Sequence, residues 1–377
     1  MKTRIAYFVT SPISANLFGI HQLKALHNEG FKVYLLCSPG VLDKELIQYT
    51  ENIYTIKNLK RNISIFNDFK SILQVIVILM SLKPCVVVYA TPKAALIGAI
   101  ASFVANIKIR IYQVWGLRWQ QISGVKFSLI RFFDLLAMTM STHVTVVSSS
   151  LLDFLRKYSN KKNLSVLGSG STIGVNSGIF YYNGRGVRSK NQKVIGFAGR
   201  LANDKGIDQI FVLFSNLLAH FPNLRLELIG NLDSSDEISN TLITNIRNHQ
   251  SITWIPQLPQ LQLAEYMRTW DLQIFLSKRE GLGNVILESG ACGVPTFCWD
   301  IIGTKDAIPD FAQDFLIPYG DMEFLEKSVK NYLHFPLEHS KKIQLSQWYL
   351  EKFEQKKVLS DFVGFIDSNL KACYDFR

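Results

Sequence analysis

Short apolar runs of strand length alternate with longer stretches of helical periodicity, and they do so in two successive blocks. In the first, IAYFV (5–9), KVYLLC (32–37), VVVYA (86–90), IRIYQVW (109–115) and HVTVVS (143–148) are spaced by helical patterns. The second repeats the theme with VIGFAG (194–199), LRLELIG (224–230), ITWI (252–255), LQIFLS (272–277) and PTFCW (295–299). Strands this apolar, set between helices, are buried on both faces, so each block predicts a doubly wound parallel α/β sheet.

A chain of 377 residues is too long for one ordinary core and suits two domains. The segment from Leu167 to Gln192 is rich in Gly, Ser and Asn, and its most turn-like and basic part, Gly184 to Gln192, is the expected linker. Domains are therefore expected at 1–187 and 188–355, with 356–377 a helical tail packing back on the body. Trp348, Phe353, Val358, Phe362 and Phe365 recur at helical spacing, which predicts one long amphipathic helix from Gln344 to Leu370.

The five cysteines (Cys37, Cys85, Cys292, Cys298, Cys373) are scattered without a CxxC pair and read as buried thiols of a reducing cytosol. The opening MKTRIAYFVTSP has too short an apolar run for a signal peptide and reads as a first strand. The most apolar stretches, Ile72–Leu82 and Ala94–Ile107, fall short of the roughly 20 residues that span a bilayer, so no crossing is expected. Charge is uneven: residues 1–190 hold 23 Lys+Arg against 7 Asp+Glu, whereas 191–377 hold 18 against 23. A basic half can meet nucleic acid, anionic lipid or a phosphate-bearing substrate, or can merely be solvated. No nucleic-acid motif is present, which favours lipid or phosphate.

Two segments carry the chemistry. FAGRLANDKG (197–206) follows an apolar strand and delivers Arg200 and Lys205 beyond its carboxyl end, where ligands of doubly wound sheets lie. Two cations there suit a diphosphate, although a strand followed by solvated Arg and Lys is also common. REGLGNVILESGACGVP (279–295) follows another strand and sets Glu280 and Glu288 eight residues apart, with Gly281, Leu282 and Gly283 forming the turn. Asn284 is placed to cap a helix beginning at Val285, whose N-terminus would favour phosphate. Asn284 and Glu288 would share a face, from which Glu288 can reach sugar or ribose hydroxyls. Taken singly, either Glu reads first as a solvated helix charge.

Together these segments, with PTFCWDIIGTKD (295–306), resemble the family 4 glycosyltransferases of GT-B fold. VVVYATPKAALIGAIAS (86–102), IYQVWGLRWQQISG (111–124), HVTVVSSSLLDFL (143–155) and LGSGSTIGVNSGIF (167–180) are similar to the bacterial branch that builds lipid-linked surface polysaccharide, O-antigen or capsule. The resemblance implies two Rossmann-like domains facing each other across a cleft, with a long C-terminal helix. It implies retaining transfer of a hexose or N-acetylhexosamine from a nucleoside-diphosphate sugar, UDP-linked by expectation, to a polyprenyl-diphosphate-linked saccharide. Arg200 and Lys205 would bind the diphosphate, Glu280 the transferred sugar, and Glu288 the ribose. The backbone of Gly281 to Val285 would contact sugar and phosphate, and Ile255 and Pro256 would neighbour the nucleobase. Thr91, Lys93, Trp115 and Arg118 would lie on the acceptor side.

Many relatives carry His-Gly where this chain reads Trp115-Gly116, so no catalytic His carries over. Asp-x-Asp is absent, and Arg200, Lys205 and a helix N-terminus can neutralise the leaving group, so no metal and no cofactor are expected. The basic, aromatic segments Lys57–Arg61 and Trp115–Trp119 suggest a peripheral enzyme on the inner face of the cytoplasmic membrane, with an anionic lipid surface as partner and no nucleic acid. Alternatives are a sugar-nucleotide 2-epimerase of the same architecture, for which no acid or base His is evident, and a non-catalytic partner subunit. A nicotinamide dehydrogenase is disfavoured because TSPISANLFG, not GxGxxG, follows the first strand.

Overall fold

The computed structural model describes residues 3–60, 64–121, 124–159, 163–184, 192–233 and 238–375. It resolves into two compact units, Met1–Ile173 with Lys356–Arg377, and Gly174–Gln355. The first contains β1 (Arg4–Phe8), α1 (Pro12–Ser14), α2 (Ile20–Asn28), β2 (Lys32–Cys37), α3 (Lys44–Gln48), β3 (Asn52–Thr55), α4 (Ile65–Leu82), β4 (Val86–Ala90), α5 (Pro92–Val104), β5 (Ile109–Val114), α6 (Gly124–Met140), β6 (His143–Val146), α7 (Ser149–Arg156) and β7 (Leu164–Val166). The second contains β8 (Lys193–Ala198), α8 (Ile207–Leu218), β9 (Leu224–Ile229), α9 (Asn240–Asn248), β10 (Ile252–Ile255), α10 (Gln260–Met267), β11 (Leu272–Phe275), α11 (Asn284–Ala291), β12 (Thr296–Trp299), β13 (Leu316–Ile317), α12 (Met322–His334) and α13 (His339–Phe353). The last helix, α14 (Gln355–Asp375), lies almost wholly in the first unit.

Unit 1 is a seven-stranded parallel sheet of order β3-β2-β1-β4-β5-β6-β7. Ile5, Tyr7, Val33, Leu35, Val88 and Ile111 point to one face and pack with Leu23 and Leu26 of α2 and with Phe362, Ile366 and Leu370 of α14. The opposite face bears Phe8 and Tyr89, on which Gly98 of α5 rests. Small residues (Ala94, Ala95, Ala99, Ala101) let this helix sit tightly on the sheet, and α4 and α6 flank it. Unit 2 is a six-stranded parallel sheet of order β10-β9-β8-β11-β12-β13. Both sheets are the doubly wound form that the apolar runs imply. All five cysteines are free thiols.

Four features differ from the expectation. Three edge strands, β3, β7 and β13, were not legible because they are short and β3 has both faces partly in solvent. The contact division falls between Ile173 and Gly174, whereas the 187/188 boundary and most of the Gly184–Gln192 linker lie outside the described residues. The 344–370 helix is broken at Glu354, whose ψ of 131° is extended. There Val175 donates its N–H to Phe353 O (2.7 Å) and accepts from Gln355 N (2.8 Å), so the backbone pairs with a neighbouring segment instead of continuing the helix. Finally, the apolar run expected from Ile72 belongs to a helix that starts at Ile65. Among the described residues it is the one helix long and apolar enough to cross a membrane by length and composition.

Phe362 is 2% exposed at the centre of the unit 1 core. Phe362→Ala is expected to cost unit 1 about 3–5 kcal/mol, because the cavity adds to the lost transfer energy. Denaturant unfolding followed by a probe in unit 1 checks this; a loss below about 1 kcal/mol would show that α14 is not part of that core.

Candidate functional site

In unit 2 the chain runs from β8 outward through β9 and β10, then returns to the other side of β8 as β11. Strand order reverses between β8 and β11, and at such a switch point the loops beyond the carboxyl ends diverge and leave room for a ligand. Arg200 and Lys205 follow β8; Ser277 and Glu280 follow β11. The sheet thus gathers residues that are some 75 positions apart in sequence.

Lys205 ends a 3-10 turn, Asn203–Lys205, that is closed by Gly206 at φ +70°. A Cβ on Gly206 would sit 2.6 Å from the Leu276 carbonyl, so only glycine allows this turn to press against the end of β11. The consequence is that Lys205 Nζ donates to Glu280 Oε1 at 2.5 Å and approaches Ser277 Oγ at 3.4 Å. Both charged side chains are mostly shielded, 16% and 15% exposed.

Arg200 is placed by a second close approach. Gly230, at φ +148°, packs against the Gly199 carbonyl, and Leu201 and Leu232 then form a bridge between the loops after β8 and β9. Asp233 is thereby brought onto the Arg200 guanidinium. Arg200 also lies 3.7 Å from Asp204, which Arg279 approaches at 3.4 Å. Lys278 N donates to Asp204 O (2.8 Å), fixing the loop after β11 to the turn after β8. Asp204, Asp233, Ser277 and Arg279 were not singled out from the sequence. Asp204 meets Arg200 within the same loop, whereas Asp233 and Arg279 reach the cluster through the parallel pairing of distant strands.

The 281–283 turn is buried and leads into α11. Gly283, at φ +85°, occupies the cap position and Asn284 is the first helical residue, which corrects the expectation that Asn284 caps a helix starting at Val285. The left-handed glycine closes the turn, with Ile286 N donating to Gly283 O at 2.9 Å. Leu282 and Ile286 pack inward, while Asn284, Val285 and Glu288 are half-buried. Although part of Glu288 reaches solvent, its carboxyl is closely surrounded by protein, and desolvation pushes its pKa up to about 8.

Beyond β9 and β10 lies a cavity of about 340 Å³ whose lining includes Gly230, Asn231, Arg247, Trp254 and Pro256. Trp254 donates its indole N–H to Gly230 O (2.9 Å), and Arg247 stacks 5.1 Å from its ring. Pro256 is thus a wall of this cavity, whereas Ile255 is held in the ladder, its carbonyl accepting from Gly230 N. Among the described residues no three His, Cys, Asp or Glu side chains converge as a metal-ion set.

Unit 1 has its own switch point between β1 and β4. Thr10, after β1, and Thr91, after β4, share a hydrogen bond of 2.7 Å between hydroxyls, and Ala94 N donates to Thr10 Oγ1 (3.2 Å). Lys93 is ion-paired with Asp68 of α4 at 2.8 Å. Trp115, just past β5, packs its ring 5.3 Å from Phe18, and its indole N–H has no hydrogen-bond partner among the described residues; Arg118 is exposed. Thr91 and Trp115 therefore sit beyond the carboxyl ends of adjacent strands, while Lys93 is turned to a neighbouring helix.

Residues 184–345 match the family described as glycosyl transferases group 1, and residues 4–150 match the one described as glycosyl transferase 4-like. The chain is 28% identical, over 83% of each chain, to the capsular polysaccharide biosynthesis glycosyltransferase CapM of Staphylococcus aureus. It is 20% identical to the Escherichia coli UDP-Gal:alpha-D-GlcNAc-diphosphoundecaprenol alpha-1,3-galactosyltransferase, over 85% of this chain and 86% of that one. In fold it is similar to sucrose-phosphate synthase of Thermosynechococcus elongatus (TM-score 0.79, 15% identity, covering 98% and 100%). It is likewise similar to Anabaena HepE in complex with UDP (TM-score 0.76, 16% identity, covering 98% and 100%).

Because the fold favours the neutral form of Glu288, its contribution to stability is full below the ordinary value of 4.5 and is lost as pH rises to about 8. Glu288→Gln carries no such loss. Its stability relative to the parent should grow between these pH values, by up to about 1.4 kcal/mol per pH unit, and level off above them. Paired urea melts across this range check it; a constant difference would mean that the carboxyl titrates normally.

Proposed function

Since the chain belongs to the family 4 glycosyltransferases of GT-B fold, we propose that it transfers a hexose or N-acetylhexosamine from a UDP-sugar to a polyprenyl-diphosphate-linked saccharide. Transfer retains the anomeric configuration and needs no metal, and the product enters a bacterial surface polysaccharide. The observation that carries this reading is the charged cluster at the β8/β11 switch point, where Arg200 and Lys205 stand beside the turn into α11. The names of the similar proteins support the donor and the acceptor: one acts from UDP-Gal on a diphosphoundecaprenol-linked sugar, another serves capsule synthesis, and a third holds UDP.

Glycosyl transfer develops positive charge at the sugar and extra negative charge on the departing diphosphate. Lys205, Arg200 and the N–H groups of the α11 N-terminus would stabilise that anion without a divalent ion. In the donor-free chain both cations are held by carboxylates, Lys205 by Glu280 and Arg200 by Asp233 and Asp204. The diphosphate would take over Lys205, and Glu280, released from its partner, would accept hydrogen bonds from hydroxyls of the transferred sugar. When UDP is left behind, Glu280 would compete for Lys205 again and help the product go. Glu288 would accept from the ribose hydroxyls, which favours its charged form, so donor binding should release a proton near neutral pH. Retention follows if the acceptor hydroxyl attacks on the face the diphosphate leaves and a leaving-group oxygen takes the proton. That route needs no strong protein base, in keeping with Trp115 where relatives carry His.

A lipid-borne acceptor would place the enzyme peripherally on the inner face of the cytoplasmic membrane, with the Thr10–Thr91 end of unit 1 toward the acceptor. Nucleotide choice is read by a thermal-shift panel, since a ligand at 100 times its Kd stabilises by about 2.7 kcal/mol. UDP-sugars should shift the melt, and a panel without any response would remove the donor assignment.

Lys205→Ala and Arg200→Ala should each lower turnover about a hundredfold or more at saturating donor. EDTA should leave the parent's rate unchanged. Glu280→Gln should lower kcat while tightening UDP binding, because the competing carboxylate charge is gone; Glu288→Gln should weaken UDP binding. Steady-state kinetics and calorimetry with UDP distinguish these outcomes, and reversible loss of activity on chelation would overturn the metal-free mechanism.

A further inference from the structure

Helix α4 is built the wrong way round for a helix facing water. Ser71, Val75, Leu79 and Leu82 are buried at intervals of three and four, so this face packs on the domain. The opposite face, which normally carries charges, presents Phe66 (73% exposed), Phe69 (60%), Leu73 (47%), Val77 (67%) and Met80 (57%). Of its two charged residues, Asp68 is neutralised by Lys93 and Lys70 folds back over the Phe66 ring at 4.7 Å. Helix α6, which flanks α5 on its other side, also exposes Leu129 and Phe132. At its C-terminal end the stripe opens, through Met80, into a depression of about 400 Å³ lined by Ile107, Leu370, Lys83 and Lys108. A contiguous exposed apolar stripe of this kind marks an interaction face.

We propose that the outer face of α4 seats the chain on an anionic lipid bilayer, the helix lying in the interface with its aromatic and aliphatic side chains among the upper acyl chains. The proposal deepens the reading of a lipid-linked acceptor and rests on it for the purpose of the contact. Charge selects the bilayer over other occupants. Lys57 and Lys60 are exposed just before the helix, Lys83 is exposed just after it, and Lys108 shares the depression at its end. This places cations at both ends of an apolar stripe, the pattern of an interfacial helix. A second copy docked on the same face by two-fold symmetry would set these lysines against their own counterparts. Residues 1–190 hold only 7 Asp+Glu against 23 Lys+Arg, so such a contact lacks compensating carboxylates. Spanning is disfavoured as well. Eighteen residues reach about 27 Å at 1.5 Å each, short of a core of about 30 Å. The helix also connects β3 to β4 of one sheet, so both of its ends are tied to the same body.

The test uses the full chain and vesicles of phosphatidylcholine alone or mixed equally with phosphatidylglycerol. The parent should co-sediment with the mixed vesicles and less with the neutral ones. Phe69→Asp combined with Val77→Asp should weaken that binding about tenfold or more, with an unchanged melting temperature because both residues are mostly exposed. The same variant should transfer sugar to a short-chain, water-soluble acceptor analogue at the parent rate. Lys60→Glu with Lys83→Glu should weaken binding to the mixed vesicles selectively. Vesicle binding untouched by the aspartates overturns the proposal, and so does a parent dimer in solution that these aspartates dissociate. Absence of transfer to the soluble acceptor by the parent would count against the glycosyltransferase substrate reading, leaving the vesicle result to decide the docking face separately.

Discussion

Parallel pairing of β8 with both β9 and β11 is the constraint on which the unit 2 site depends. Parallel strands cannot be joined by tight hairpins, so every connection crosses over a face and every carboxyl end opens at the same edge of the sheet. Where the order reverses, two neighbouring strands send their chains to opposite sides, which leaves room between them. Arg200, Lys205, Ser277 and Glu280 stand around that gap because they lie within a few residues of the ends of β8 and β11. Gly206 and Gly230 tighten the arrangement by letting backbone approach backbone where any Cβ would collide. Geometry of this kind is set by the sheet and only then decorated by charge.

The charge arrangement follows from shielding. Each cation has a counter-charge: Glu280 for the shielded Lys205, Asp233 with Asp204 for the half-exposed Arg200. On the proposed reaction these pairs would be exchanged, since a diphosphate offers the same cations more charge and several acceptor oxygens in one ligand. For Glu288, desolvation by the surrounding protein raises the pKa. A carboxyl in that condition is stabilised by any ligand that offers hydroxyl donors. The site is thus prepared in two ways, with paired charges where an anion would sit and an undersolvated acid where hydroxyls would sit.

Much of the fold was legible in the sequence, for a reason visible in the strands. KVYLLC and VVVYA match β2 and β4 residue for residue, because inner strands of a parallel sheet covered on both faces are apolar over most of their length. The edge strand Asn52–Thr55 lacks that signal, being exposed at both ends, whereas the edge strand β10 keeps it in ITWI. Of the residues singled out in the sequence, Lys205 and Glu280 meet across the ends of β8 and β11. Asp233 was not legible, since it is 33 residues from Arg200 and meets it only through the pairing of β8 and β9. The outward face of α4 was hidden by Asn67, Asp68 and Lys70, which interrupt the apolar run in one dimension while leaving the stripe continuous on the helix surface. The break at Glu354 was invisible for the opposite reason: helical periodicity continues through it, and only the backbone of Val175, far away in sequence, competes for its hydrogen bonds.

The two switch points also differ in chemistry, and on the proposed reaction the difference has a use. In unit 2 the gap is surrounded by ionised groups, suited to a leaving group that gains charge. In unit 1 the corresponding position holds two hydroxyls, Thr10 and Thr91, whose mutual hydrogen bond closes the gap without any charge. Thr91 adopts φ 68°, an uncommon conformation for a β-branched residue, and the bond to Thr10 together with the start of α5 at Pro92 holds it there. An acceptor hydroxyl is neutral until its proton leaves, and a cation beside it would stabilise an alkoxide that the retaining route never forms in full. Neutral donors and acceptors with aromatic walls, such as Trp115 against Phe18, can orient such a hydroxyl without changing its charge. Concentrating the ionised groups in unit 2 therefore matches the place where charge develops.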